Sequence, residues 1–144
     1  MMELSALRVD PSKSLDGTWI DYMFGTRLLV ARFDNKKMQT YKTGRIMEHK
    51  DLFKDIEKNQ EEAMRVSEEI DVECLAHFVL LDWEGFSKGG EPLAYTPELG
   101  IEIFSDENYS EFRDFVRRVA QNTENYRVES EAVVAELVKD PAAS

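Results

Sequence analysis

Residues 45–84 read RIMEHKDLFKDIEKNQEEAMRVSEEIDVECLAHFVLLDWE, without one glycine or proline. Those two residues are the strongest local breakers of a helix. In their absence a stretch dominated by Glu, Lys, Arg, Leu and Ala reads as helical. Within it, Ala63, Ser67, Ile70, Cys74, His77, Phe78 and Leu81 advance by three or four positions along one apolar stripe. Glu61, Arg65 and Glu69 follow at intervals of four, the spacing of opposite charges on a solvated helix face. Upstream, from Asn35, a weaker pattern runs through Met38, Tyr41, Ile46, His49, Leu52, Phe53 and Ile56. Gly44 interrupts it, and it fades at Asn59-Gln60.

A different pattern precedes these helices. Thr18-Trp19-Ile20-Asp21-Tyr22-Met23 and Arg27-Leu28-Leu29-Val30-Ala31-Arg32-Phe33 are short runs rich in aromatic and branched residues, separated by a turn at Gly25, which predicts a β-hairpin. After the long helix, residues 82–95 with Gly85, Gly89-Gly90 and Pro92 predict a loop. Thr96-Pro97-Glu98 supplies a capping hydroxyl, a proline at the first helical position and a first-turn acid, so a short helix should run from there to Phe104. A further helix should run from Ser105 to about Asn122 on the stripe Tyr109, Phe112, Phe115, Val116 and Val119, with a last apolar segment over residues 125–139. The predicted architecture is mainly α, of the α+β class, in a single domain. An N-terminal extension (1–16) leads to a hairpin (17–34) and then to a helical part (35–140) of about four to five helices.

The 144 residues carry 18 Lys and Arg against 29 Asp and Glu, a formal charge of −11. Up to Met47 eight basic residues face five acidic ones, a balance of +3, so the rest carries −14. An overall acidic chain is a poor match to the phosphate backbone, and no nucleic-acid partner is expected. No apolar run exceeds four residues, as in Phe78-Val79-Leu80-Leu81, far short of the ~20 a membrane helix needs, so no membrane partner is expected either. Residues 1–11 contain Glu3, Arg8 and Asp10 and do not read as a signal peptide. The single cysteine excludes an intramolecular disulfide framework and fits a reducing cytoplasm.

No residue pattern points to catalysis. Cys74 and His77 are three apart, half of a zinc site, but no second Cys/His pair completes it, and His49 is the only other histidine. They read as a buried thiol and a core or rim imidazole. No serine sits in a Gly-x-Ser-x-Gly turn, and Gly89-Gly90 is followed by Glu91-Pro92 where a phosphate loop has Lys and a hydroxyl residue. Asp82-Trp83-Glu84 lacks the alternating oxygen ligands of a calcium loop. The expectation is a protein without catalytic, metal or cofactor-binding residues. The aromatics Trp83, Phe86 and Tyr95 flank the diglycine turn, where they either clamp the loop to the core or form a patch for a partner.

The order of these motifs resembles a known family. Leu80-Leu81-Asp82-Trp83-Glu84-Gly85-Phe86, then Gly89-Gly90-Glu91-Pro92-Leu93-Ala94-Tyr95-Thr96-Pro97-Glu98, then Phe112-Arg113-Asp114-Phe115-Val116 and Asn125-Tyr126-Arg127 look like the tail assembly chaperones of long-tailed bacteriophages, prophages and gene-transfer particles. Trp19, Gly25 and Ala31-Arg32-Phe33 fit the usual opening of that family. Two positions depart from it: Thr96 stands where serine is frequent, and Gly100 where a helix-favouring alanine is frequent. The resemblance implies a non-catalytic factor in the cytoplasm of the bacterial host that binds the tape measure protein, keeps it soluble and helps recruit tail tube protein. Such a factor is absent from the finished virion. Trp83, Gly85, Tyr95, Thr96 and Pro97 are motif residues that read as structural. The apolar face of the last segment, Val133, Val134, Leu137 and Val138, is the predicted surface for a partner or for self-association into a homo-oligomer. Two other readings of the residues remain open at this point: an acidic DNA mimic or inhibitor, which needs carboxylates spaced along an exposed surface, and a structural tail completion subunit, which would use the hairpin to extend a neighbour's sheet.

Overall fold

The computed structural model describes residues 1–128, and Val133, Val134, Leu137 and Val138 lie outside the described residues, as does most of the last apolar segment. The N-terminal extension folds onto the domain. A 3-10 helix (Leu4–Leu7) leads to α1 (Pro11–Asp16), where Asp10 accepts hydrogen bonds from the backbone N–H groups of Ser12 and Lys13 and proline takes the first turn. β1 (Thr18–Asp21) and β2 (Arg27–Val30) then pair antiparallel, Trp19 opposite Leu29. Leu28 and Val30 point into the core at 0% exposure, the inward half of the strand alternation.

Asn35 starts α2 (Lys36–Glu48). Its side-chain oxygen accepts from the Met38 N–H at 3.0 Å, and its amide donates to the Arg32 and Phe78 carbonyls at 2.8 and 2.9 Å. The helix passes through Gly44 and breaks at His49, after which α3 (Lys50–Lys54) is a single short turn. α4 (Gln60–Cys74) buries Ala63, Val66, Ile70, Val72 and Cys74. The expected stripe is therefore rotated: Ser67 is exposed and Val66 takes its place, because the core lies against the Val66 side of the helix. His77 is exposed as well, so it belongs to neither core nor rim stripe.

The largest difference from the sequence expectation comes next. A π-helical turn (Leu75–Val79) delivers the chain into β3 (Leu80–Glu84), where helix followed by loop was predicted. β3 pairs antiparallel with β2, Leu28 opposite Trp83, giving a three-stranded sheet of order β1-β2-β3 with a register shift at Leu29/Val30. The physical reason is that β2 would otherwise leave a row of backbone groups unpaired beside the core. An apolar run such as Phe78-Val79-Leu80-Leu81 satisfies a buried strand and a buried helix equally well by periodicity. The predicted loop also contains a small ladder, β4 (Ser87–Lys88) with β5 (Glu91–Pro92), turning at Gly89-Gly90. α5 (Pro97–Phe104) and α6 (Ser110–Gln121) follow where they were expected, the latter preceded by a 3-10 turn (Glu107–Tyr109).

The result is the expected helix-rich α+β arrangement, five α-helices after the hairpin and a small antiparallel sheet. Residues 126–128 close it against the start of the chain. Val9 and Arg127 form a β-bridge, the Asp10 N–H donates to the Tyr126 carbonyl at 2.7 Å, and the Val128 N–H donates to the Arg8 carbonyl at 3.0 Å. Tyr126 is fully buried, its hydroxyl donating to the Val30 carbonyl at 3.1 Å.

Candidate functional site

β3 and the loop after it present aromatic side chains to α5 and α6, and the two walls enclose an open groove of about 460 Å³. Trp83 is at its base, 6% exposed, because its place on β3 opposite Leu28 turns the indole inward. The indole N–H donates to the Leu93 carbonyl at 2.7 Å, the hydrogen bond a buried tryptophan requires. Its ring stacks on Phe86 at 4.3 Å and meets Tyr95 edge-on at 5.1 Å. Phe112, from α6, lies between Trp83, Phe86, Phe104 and Tyr22, and Tyr22 in turn packs on Phe115 at 4.6 Å. The loop is thus clamped, and the clamp leaves a recess between it and α5.

Tyr95 reaches the other way. Its hydroxyl donates to the Ala76 carbonyl at 2.6 Å, supplying a partner to backbone inside the π turn. Gly100 faces this bond: a Cβ there would lie 2.2 Å from the Tyr95 hydroxyl and 3.0 Å from the Ala76 Cβ. Gly100 therefore makes room for a tyrosine. Thr96 Oγ1 accepts from the Leu99 N–H at 3.2 Å, and Pro97 takes the first helical position. Gly85 ends β3 at φ +89°, a conformation that L side chains rarely adopt, with the Thr26 Cα 3.3 Å from where a Cβ would be.

The chemistry available is limited. Burial pushes the Tyr95 phenol above its ordinary range, with Glu98 adding to the effect, and burial with Glu111 raises Tyr22. Both stay protonated at neutral pH, and Tyr95 serves as a hydrogen-bond donor. Burial likewise pushes the Cys74 thiol up to about 11, away from the thiolate a nucleophile needs. Cys74 and His77 are not brought together, the first in the core and the second at the surface. Among the described residues no cluster of three or more His, Cys, Asp or Glu could hold a metal ion, and no helix is long and apolar enough to cross a membrane.

Charge is organised away from the groove base. Asp71 on α4 receives Arg113 at 2.5 Å and Arg117 from α6, and Arg113 also reaches Glu68. Arg45 on α2 joins Glu73 of α4 at 2.9 Å, beside the Tyr41 hydroxyl. Arg65 pairs with Glu69 as the spacing suggested, and with Glu62. The groove wall formed by Leu99, Glu102, Ile103 and Asp106 was not singled out in the sequence. Its signal was the i, i+4 pair Leu99/Ile103 on α5 with Glu102 beside it, followed by Asp106 just past the end of the helix.

Fold and groove together define a small helix-rich α+β protein, and its affiliation is viral. A family model described as YdaY prophage protein matches residues 33–136, well over half of the chain. The chain belongs to this prophage protein family. No curated protein and no solved structure matches it.

Proposed function

We propose that this prophage protein is a tail assembly chaperone that binds the tape measure protein, keeps it soluble and helps recruit tail tube subunits. It acts without catalysis, in the cytoplasm of the bacterial host, and does not remain in the finished virion. The observation that carries the reading is the convergence of the ordered motifs. Trp83 and Leu93 from the first two, and Phe112 from the third, meet around one groove open to solvent, with Tyr95 packed behind Trp83. A groove of this kind fits the apolar ridge of a helical client, while a charge of −11 keeps the complex in solution. Val133, Val134, Leu137 and Val138 would add a second contact to the client or to another copy of the chain.

The DNA-mimic reading draws less support. Arginines interrupt the acidic surface of α4: Arg65 pairs with Glu62 and Glu69, and Arg113 with Glu68 and Asp71. Co-expression with the tape measure protein encoded nearby tests the proposal. Solubility of that protein should rise and a complex should co-purify, whereas equal insolubility with and without the chaperone removes the reading. Mass spectrometry of purified particles separates a chaperone from a tail completion subunit, because only the latter remains in the particle.

A further inference from the structure

We propose that the groove between the 86–93 loop and α5 is the docking surface for a basic amphipathic helix. The proposal rests on the chaperone reading for its biological setting and on the groove alone for its chemistry. The floor is aromatic, with Tyr22, Trp83 and Phe112 offering flat apolar faces. The α5 wall adds Leu99 and Ile103, and above them Glu102 and Asp106 form an acidic rim, both exposed. Glu111, an exposed acid in the first turn of α6, stands between the lining residues Tyr109 and Phe112 in the chain, and its charge at Tyr22 is opposed by that of Arg118 further along the helix. Lys88 is the single cation among the residues lining the groove. A helix entering here buries an apolar ridge at i, i+3, i+4 and i+7, and needs Lys or Arg on the flank that faces α5.

Phe24 supports an occupied state independently. It lies two residues beyond Tyr22, at the tip of the β1–β2 turn, with φ +56° and 98% exposure. A bulky residue in the left-handed region is strained, and a fully exposed ring forgoes the hydrophobic effect. Among the described residues nothing packs over the ring to offset either cost. A partner lying in the groove and extending past Tyr22 covers this ring.

The test uses the full chain and two synthetic helices of about 18 residues with the same leucine ridge, one with lysine and one with glutamate at the remaining positions. Binding is followed by isothermal titration calorimetry. The lysine helix should bind and the glutamate helix should not. Glu102→Lys with Glu111→Lys should weaken the lysine helix by about tenfold, while Glu57→Lys with Glu61→Lys, an identical change of net charge on a distant surface, should leave it unchanged. Equal weakening by the two pairs means attraction by net charge alone and overturns the proposal, as does equal binding of both helices or binding of neither. The two readings separate in the co-expression experiment. A Glu102→Lys, Glu111→Lys chain that still solubilises the tape measure protein fully leaves the chaperone standing without this groove. A chain that binds the lysine helix yet solubilises nothing leaves the groove standing without the chaperone.

Discussion

Replacing Gly100 by alanine sets two physical effects against each other. Alanine in a helix interior is favoured over glycine by about 1 kcal/mol, so propensity alone predicts that Gly100→Ala stabilises α5. The new Cβ, however, would lie 2.2 Å from the Tyr95 hydroxyl and 3.0 Å from both the Tyr95 Cζ and the Ala76 Cβ. Tyr95 has little room to withdraw, since its ring packs edge-on to Trp83 at 5.1 Å and its hydroxyl is bonded to the Ala76 carbonyl at 2.6 Å. Displacing it breaks that bond inside a partly buried site, at about 1–3 kcal/mol, and overpacking adds about 1–3 kcal/mol. After the propensity gain the net loss is about 3 kcal/mol. For a domain of this size that lowers Tm by roughly 6–12 °C. Thermal and urea unfolding followed by circular dichroism measure it. Tyr95→Phe removes the nearest atom, so the double variant Gly100→Ala, Tyr95→Phe should be more stable than the sum of the single losses by about 1 kcal/mol. A Gly100→Ala protein as stable as the parent, or strict additivity in the cycle, refutes the steric account.

Four further outcomes follow from the structure. Because burial holds Cys74 up to about 11, the native thiol should resist a disulfide reagent at pH 8 and react fully in urea; rapid labelling of native protein would show that the site opens. Cys74, Tyr95 and Tyr126 all ionise at higher pH in the folded chain than in the unfolded one. Stability should therefore hold up to about pH 9 and fall as pH rises through the folded values, measured as urea midpoint against pH. Asp71→Ala leaves Arg113 and Arg117 without their shared carboxylate and should cost about 2 kcal/mol by urea unfolding at unchanged slope; a loss below about 0.5 kcal/mol would reduce the α4–α6 ion pairs to surface decoration. Phe24→Asn puts a residue that tolerates left-handed backbone at a position where the ring touches little, so stability should stay level or rise by about 0.5–1 kcal/mol, and a clear loss would show hidden packing of that ring.

Local signals with a single physical meaning were legible in the sequence. Thr96-Pro97 starts α5, and Asn35 starts α2, because a capping oxygen and a missing N–H solve the same terminus problem in any context. The hairpin was legible because aromatic and branched runs flanked a turn glycine. β3 was not, since Leu80 and Trp83 become strand residues only through pairing with β2, fifty positions upstream in the chain, and the π turn that makes the switch uses neither glycine nor proline. The helix stripe was misplaced by one position because which face of α4 is buried depends on where α2 and α5 pack. The candidate site was half legible: Trp83, Tyr95 and Phe112 stood out as aromatics, whereas the wall of Leu99, Glu102, Ile103 and Asp106 acquires meaning only opposite the 86–93 loop.

The seam between the two ends of the described chain has a consequence for biosynthesis. Val9 bridges Arg127, the Asp10 N–H and the Val30 carbonyl meet Tyr126, and Phe33 donates its N–H to the carbonyl of Ala120. During translation these closing contacts of the N-terminal segment and the hairpin therefore form last, after nearly all of the described chain has left the ribosome tunnel.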